Sequence, residues 1–176
     1  MTEMAESTLG PAAQQFILHW GEMSSRWGIN RSMAQIHALL YLSPAPLTAE
    51  EIADTLQIAR SNVSTSLREL LAWGVVRMVH RLGDRRDHFE TMKDAWEMLR
   101  VILEQRKRRE IDPTVGMLRD CLGSEAPGDD YTRDRMRELL SLLTTLSSWY
   151  EEMTKLPASV QRKVLRMGSR IKKLAG

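Results

Sequence analysis

The stretch of sequence that decides the fold spans residues 48–91 and reads TAEEIADTLQIARSNVSTSLRELLAWGVVRMVHRLGDRRDHFET. It predicts a short helix, a tight turn at residues 57–59, a second helix and two strands. Thr48 can accept a hydrogen bond from the backbone of Glu51 while the Glu51 carboxylate accepts one from the backbone of Thr48. This reciprocal capping box predicts that the first helix begins at Thr48.

The second helix is predicted to run from Arg60 to about Trp73 and to have two different faces. Apolar residues recur at steps of three and four and predict the buried face: Val63, Leu67, Leu70 and Leu71. The opposite face carries short polar side chains and an arginine: Ser61, Asn62, Ser64, Thr65 and Arg68. Gly74 follows where a left-handed C-cap residue is needed, so we expect the helix to end there.

A basic hairpin is predicted after the second helix. Residues 75–79 and 88–92 have the composition of strands, and Gly83-Asp84 supplies the turn between them. The hairpin carries three arginines, Arg81, Arg85 and Arg86. Two short helices joined by a tight turn and followed by a basic hairpin are typical of a winged helix-turn-helix, so the fold class is predicted to be mainly α with such a domain.

The polar face of the second helix is suited to reading double-stranded DNA, because an α-helix fits the major groove and short polar side chains can approach base edges. We expect base or nearby phosphate contacts from Ser61, Asn62, Ser64 and Thr65, with Arg60 and Arg68 as anchors. Phosphate or minor-groove contacts are expected from Arg81, Arg85 and Arg86, and Asp84 can orient an arginine across the turn. The alternative is an ordinary solvated helix and a charged turn, but the full order of elements favours DNA binding.

The stretch from Trp20 to Trp96 resembles the MarR-type regulators, and within them the GbsR branch, whose best-known members repress glycine betaine synthesis genes. The resemblance is carried by residues 27–32 (WGINRS), 34–36 (AQI), 39–42 (LLYL), 47–53 (LTAEEIA), 61–64 (SNVS), 67–70 (LREL) and 83–86 (GDRR). It implies a homodimeric transcription factor, usually a repressor, whose affinity for DNA is modulated by a small molecule. The helical remainder is similar to that branch in layout only.

Composition places few limits on function but excludes several classes of protein. The chain has 176 residues, of which 43% are hydrophobic and 27% charged, and its net charge of +2 excludes a global polycation. A single cysteine, Cys121, excludes an intrachain disulfide framework and suits a reducing cytosol. The N-terminus has acids and no apolar h-region, so no signal peptide is expected. Together with the absence of a long apolar run, this predicts a soluble, cytoplasmic protein.

Three regions are predicted: residues 1–29, a tail and dimerisation helix; residues 30–93, the winged helix-turn-helix; and residues 94–176, a helical dimerisation and effector region. In the first, a helix from Pro11 to about Arg26 carries an apolar stripe, and Ser32 with Gln35 predicts a second capping box. In the third, we expect a long helix from about Lys93, a helix from about Thr132 to Lys155, and a last helix after Pro157. That last helix has a coiled-coil-like seam: Val160, Val164, Met167, Ile171 and Leu174.

Charge is distributed unevenly among the C-terminal helices. Residues 104–110 (EQRKRRE) are interpreted as a solvent-bridging helical segment rather than a phosphate-binding run, because the flanking glutamates can pair at helical spacing. Residues 153–176 carry seven basic residues and no acid, whereas residues 125–152 carry seven acids and three arginines. The basic helix can either neutralise the acidic one or touch DNA backbone, and the sequence does not decide between them.

A homodimer and a small-molecule effector are predicted from the apolar stripes and the aromatic residues. A monomer would expose a large apolar patch, and two half-sites on DNA require two recognition helices. An aromatic cage for a quaternary ammonium such as choline, the effector that the resemblance suggests, can be drawn from Trp20, Trp27, Trp96, Trp149 and Tyr150. The pattern alone favours the simpler interpretation, in which these residues are core.

No catalytic, cofactor or metal site is predicted. The four histidines do not pair at metal-ligand spacing with each other or with Cys121, and no phosphate loop or nucleophile elbow is present. We expect His37 to pack within its helix and His88 to add a contact on the hairpin. The alternative function is a winged helix used as a protein-interaction or architectural module, against which the polar helix face and the arginines argue.

Overall fold

The computed structural model describes residues 9–123 and 129–167 and divides the chain into two compact units, residues 1–101 and 102–176. The first unit contains α1 (Pro11–Arg26), α2 (Arg31–Leu42), β1 (Leu47–Thr48), α3 (Ala49–Leu56), α4 (Arg60–Trp73), β2 (Val76–Arg81), β3 (Asp84–Thr91) and most of α5 (Ala95–Arg106). The second contains a π-helical turn (Lys107–Ile111), α6 (Asp112–Gly123), α7 (Asp130–Lys155) and α8 (Ala158–Met167). The predicted mainly α fold is confirmed.

The helix-turn-helix has the local structure that its sequence predicts. The Glu51 backbone N–H donates to Thr48 Oγ1 at 3.2 Å, and the Thr48 backbone N–H donates to Glu51 Oε2 at 2.7 Å. These bonds hold the pKa of Glu51 below its usual range, chiefly through the Thr48 backbone N–H. Helix α3 ends at Gln57, which has a left-handed backbone conformation with φ 53°. Helix α4 ends at Gly74, whose φ of 72° is the left-handed conformation that the sequence predicts.

The wing is a three-stranded antiparallel sheet in the order β1-β3-β2. Its strands are longer than predicted: Arg81 pairs with Asp84, so the turn consists of Leu82 and Gly83. The sequence-based turn at Gly83-Asp84 was therefore displaced by one residue, and Arg85 and Arg86 lie in β3 rather than beside the turn. Gly83 has φ 84°, a conformation that costs glycine little, and this is what closes the two-residue connection.

The core of the first unit is formed where α2 meets α3 and α4. The largest fully buried side chains are Met33, Ile36, Leu40, Ile52 and Val63. Helix α1 packs on α2 of the same unit, and the residues that it buries are Ile17, Gly21 and Ser24. At Gly21 a Cβ would lie 2.8 Å from Gln35 Cγ, so the absence of a side chain allows this close approach.

Two helix boundaries in this unit differ from the sequence-based expectation. The predicted Ser32–Gln35 capping box is wrong, because α2 is capped by Asn30, whose Oδ1 accepts from the Met33 backbone N–H at 3.2 Å. Helix α5 begins at Ala95 rather than near Lys93. Lys93 instead donates to the carbonyl oxygens at the end of α2: Leu40 at 2.7 Å, Tyr41 at 3.1 Å and Ser43 at 2.5 Å. A cation there satisfies carbonyls that have no partner within the helix.

In the second unit α6 packs against α7, and Val115 and Leu118 are the buried hydrophobic residues among those described. Pro113 lacks the N–H that would donate a helical hydrogen bond, and the residues just before α6 form the π-helical turn. Pairing within residues 104–110 is observed: Arg108 donates to Glu104 at 2.7 Å, and Arg106 donates to Glu110 at 2.9 Å. Helix α7 begins earlier than predicted, at Asp130, because Asp129 caps it.

Some predicted features lie outside the described residues. These are the N-terminal eight residues, most of the loop after Gly123, and the last nine residues, which include Ile171, Leu174, Arg170, Lys172 and Lys173. Within the described part of the chain, no helix is long and apolar enough to cross a bilayer.

His37 is buried and connects α2 to the wing rather than packing within its own helix. Its Nε2 lies 3.2 Å from Thr91 Oγ1, and the Thr91 hydroxyl donates to the Val75 carbonyl at 2.6 Å. Because that hydroxyl has a single proton, Thr91 must accept from His37, which places a proton on Nε2 of the ring. Burial lowers the pKa of His37 to about 4, so the imidazole is neutral at pH 7.

His37 should make the stability of this unit depend on pH. The unfolded chain binds a proton near pH 6.5 and the folded chain only near pH 4. The stabilisation is therefore complete above pH 6.5 and is lost as the pH falls to 4, by about 3 kcal/mol in all. We expect His37→Gln, which keeps a donor but does not titrate, to reduce the fall in free energy of unfolding measured with urea between pH 7 and 4.5. An unchanged pH dependence in the variant would contradict this assignment.

Candidate DNA-binding interface

A cleft of about 640 Å³ lies between α4 and the wing. Its charged and polar lining includes Glu50, Arg60, Ser64, Arg68, Arg85 and Arg86, above apolar side chains that include Leu67 and Met78. Five of the nine sequence-predicted DNA-contacting residues therefore line one cleft. The other four, Ser61, Asn62, Thr65 and Arg81, do not line it but are exposed on the same α4 and on β2.

The N-terminus of α4 is open to a ligand. The N-cap residue is Ala59, which provides no side-chain hydrogen bond to the first backbone N–H groups. These N–H groups and the helix dipole together favour an anion at this position. Ser61 and Asn62 are exposed in the first turn, so the end of the helix that can approach DNA carries both hydrogen-bonding side chains and unsatisfied donors.

Two of the arginines are already engaged by carboxylates. Arg60 Nη2 forms an ion pair with Glu50 Oε1. Arg86 donates to both oxygens of Asp84, from Nε at 3.0 and 3.1 Å and from Nη2 at 2.6 Å. Asp84 thus orients an arginine within the wing, as its position predicted, and Arg86 holds the pKa of that carboxyl well below its usual range. Glu50 was not identified from the sequence, because nothing in the spacing indicates that it faces Arg60.

The remaining cleft arginines are not held in this way. Among the residues that the structure describes, neither Arg68 nor Arg85 has a carboxylate within ion-pair distance, and the same is true of Arg81 on β2. All three are exposed. Guanidinium groups in this state can bind phosphate without first breaking an existing ion pair.

His88 lies inside the wing and makes its contacts within the hairpin. The residue is only 2% exposed, and its Nδ1 lies 3.0 Å from the Arg86 carbonyl oxygen. Its Nε2 lies 3.5 Å from Asp84 Oδ2. The histidine therefore braces the strand that presents Arg85 and Arg86.

The aromatic residues predicted for an effector site are distributed over both units. Phe16 and Trp20 stack with their ring centroids 5.5 Å apart, and both line an apolar recess of about 220 Å³ with His37, Tyr41 and Met98. Trp27 and Trp96 belong to the same unit but do not line this recess. Trp27 and Trp149, the latter on α7, are exposed by 61% and 56%. Tyr150 is half-buried on α7.

Within residues 9–123 and 129–167, no group of three or more histidine, cysteine, aspartate or glutamate side chains is arranged to hold a metal ion. Cys121 is exposed on α6, and its thiol lies 3.7 Å from the Met117 sulfur. The cleft between α4 and the wing thus has the clearest functional geometry.

Comparison with known proteins identifies this geometry. The family model described as the MarR family matches residues 27–87, from the end of α1 through most of the wing. The match covers the helix-turn-helix and most of the wing, so this part of the chain is similar to the MarR family. In helix-turn-helix proteins that bind DNA, the second helix of the motif reads the major groove, and the second helix of the motif is α4 here.

Individual relatives agree with the assignment. The HTH-type transcriptional repressor GbsR of Bacillus subtilis (strain 168) is 25% identical over 146 residues, covering 80% of this chain and 81% of that protein. A crystal structure of a transcriptional regulator superimposes with a TM-score of 0.65 at 24% identity, covering 81% of this chain and 95% of the other. The second similarity shows that the fold extends beyond the 27–87 segment.

We expect Asn62→Ala and Arg85→Ala to affect DNA binding in different ways. Because Asn62 is expected to read a base edge, Asn62→Ala should cost about 1–3 kcal/mol of binding free energy on the preferred sequence and relax the preference at one position. Because Arg85 is expected to contact phosphate, Arg85→Ala should weaken binding to all duplexes alike and reduce the slope of log affinity against log salt by about 1. Fluorescence anisotropy with single-base variants at several salt concentrations measures both effects. Equal losses on all duplexes for both variants would contradict the role given to Asn62.

Proposed function

We propose that this protein is a cytoplasmic, homodimeric repressor that binds operator DNA with one α4 helix and one wing from each subunit. The cleft between α4 and the wing carries the proposal, because it combines an open helix N-terminus, exposed polar side chains and two exposed arginines, Arg68 and Arg85, without carboxylate partners among the described residues. The name of the B. subtilis relative, a transcriptional repressor, supports the sign of regulation.

Helix α7 supports the dimer. Four of its exposed hydrophobic residues recur at steps of three, four and three, and each is between 44% and 56% exposed: Leu139, Leu142, Leu146 and Trp149. This spacing is that of a coiled-coil seam. No residue of α7 is buried within the described chain, and a solvent-exposed seam of this kind favours a second copy of the same helix as its partner.

A dimer also agrees with the small reading surface of one subunit. One recognition helix reads few base pairs, whereas two related by a twofold axis read half-sites separated by one helical turn of about 34–36 Å. We therefore propose that the operator is an inverted repeat. A winged helix that serves as an architectural module would need no such sequence symmetry.

The dimeric repressor can be tested with a variant of the α7 seam. Leu146→Asp introduces a charge into the proposed interface and should raise the dimer dissociation constant by at least about thirtyfold. Ser141→Asp adds the same charge to the exposed side of the same helix and is the matched control. Sedimentation velocity reports the oligomeric state, and anisotropy reports binding to a duplex that the wild-type protein selects from a random library.

We expect Leu146→Asp to be monomeric and to bind the selected duplex much more weakly, with Ser141→Asp unchanged in both respects. Monomeric wild-type protein would contradict the dimer. Failure to enrich any sequence from the library, with equal and salt-sensitive binding to all duplexes, would instead support the architectural alternative. A far-ultraviolet circular dichroism spectrum of Leu146→Asp that matches the wild-type spectrum would separate loss of assembly from loss of folding.

We further propose that a small molecule of the choline type modulates operator binding, and the aromatic recess at Trp20 provides a place where tryptophan fluorescence would respond. Quaternary ammonium groups bind aromatic faces through cation–π attraction. We expect choline to quench tryptophan fluorescence and to change operator affinity, and Trp20→Leu to remove both effects. If choline changes neither the tryptophan fluorescence nor the operator affinity of protein that binds its selected duplex, choline is eliminated as the effector.

A further inference from the structure

Glu50 is the one carboxylate of the cleft that pairs with an arginine of the recognition helix. It follows Ala49, the first residue of α3, and lines the cleft with Arg60, Arg68, Arg85 and Arg86. A carboxylate on a surface that faces DNA is repelled by phosphate. Its presence there requires a reason other than attraction to DNA.

Capping of α3 does not supply that reason. The reciprocal bonds at the start of α3 are made by Thr48 and Glu51, and Glu50 takes no part in them. Its Oε1 is instead the partner of Arg60 Nη2, at the first residue of α4. The pair joins the N-terminal ends of the two helices of the helix-turn-helix.

The pair is placed where it affects binding more than folding. The side chains are exposed by 70% for Arg60 and 49% for Glu50, and ion pairs as exposed as this contribute little to stability. Arg60 stands at the end of α4 whose backbone N–H groups are uncapped. A free guanidinium here would add one more sequence-independent contact to any phosphate that reached the helix.

We propose that Glu50 limits the sequence-independent affinity for DNA by restraining Arg60. In this proposal, which rests on the proposed function, the Glu50 carboxylate withholds one cation from indiscriminate phosphate binding and keeps its guanidinium at the start of the recognition helix. Sequence-independent affinity falls, while hydrogen bonds to the correct bases are unaffected. Because Arg60 would contact phosphate in operator and non-operator DNA alike, the pair lowers the affinity for both and leaves their ratio unchanged.

The other charges of the cleft make this restraint effective. Arg86 is held by Asp84, so the arginines of the cleft without a carboxylate partner among the described residues are Arg68 and Arg85. Releasing Arg60 would therefore raise the number of available cleft cations from two to three. Each additional phosphate neutralised adds about 0.9 to the magnitude of the salt slope and increases affinity by up to about tenfold near 0.1 M salt.

The test compares Glu50→Gln with Asp54→Asn. Both remove one negative charge from α3, but Asp54 is exposed outside the lining of the cleft. Anisotropy with the selected duplex and its scrambled counterpart, at about 50 and 200 mM salt, gives affinities and slopes for each variant. Arg60→Gln and the double variant complete the cycle, and thermal melting monitors folding.

We expect Glu50→Gln to bind the scrambled duplex about fivefold to tenfold more tightly at low salt, with the salt slope steeper by about 1. Operator affinity should rise by a similar factor, because phosphate contacts carry no sequence information, while Asp54→Asn changes both affinities less. In the Arg60→Gln background the effect of Glu50→Gln should vanish, because the cation it releases is gone.

Equal effects of Glu50→Gln and Asp54→Asn on both duplexes would overturn the inference and leave the proposed function intact, as would a Glu50→Gln effect that persists without Arg60. Wild-type protein that does not distinguish the duplexes would overturn the proposed function itself, and the inference with it. A fall in affinity for both duplexes in Glu50→Gln would show that Glu50 serves only the structure of α3.

Discussion

The relation between the recognition helix and the wing depends on Thr48. Its backbone pairs with His88 in the sheet, and its side chain caps α3, so one buried residue belongs to both elements. The Thr48 hydroxyl accepts from the Glu51 N–H and donates to the Glu51 carboxylate at 2.8 Å, which satisfies the polar atoms of this junction. Because α4 follows α3 through a three-residue connection, the position of the wing strand relative to α4 is determined here.

A second layer of polar contacts supports this junction. His37 reaches from α2 to Thr91 at the end of β3, and Thr91 in turn donates to Val75 after α4. Lys93 closes the C-terminal end of α2 directly after the same strand. Side chains therefore tie α2 to both ends of the segment that presents the wing, and each buried donor and acceptor in this chain of bonds has its partner.

The charges of the cleft divide into a restrained and an available set. Arg60 and Arg86 are each held by a carboxylate next to them in space, and Arg68 and Arg85 are not. A surface that binds DNA with all of its cations available gains affinity for every sequence equally. The arrangement observed here leaves a larger share of the binding energy to contacts that depend on base sequence, which is what a regulator requires.

The sequence by itself determined the local structure of this protein. The capping box at Thr48, the glycine that ends α4 and the alternation of apolar and polar residues along α4 are set by interactions within a few residues, so pattern and spacing were sufficient for the helix-turn-helix and for most of its exposed polar face. The tertiary structure decided which residues meet across the fold. Asn30 rather than Ser32 caps α2, His88 is buried, Lys93 closes α2, and Glu50 faces Arg60. These outcomes depend on distances between residues ten to more than fifty positions apart, or on the entry angle of a helix against its neighbour. No periodicity along the chain encodes such distances, because they are fixed only when α2, α4 and the wing pack around one core.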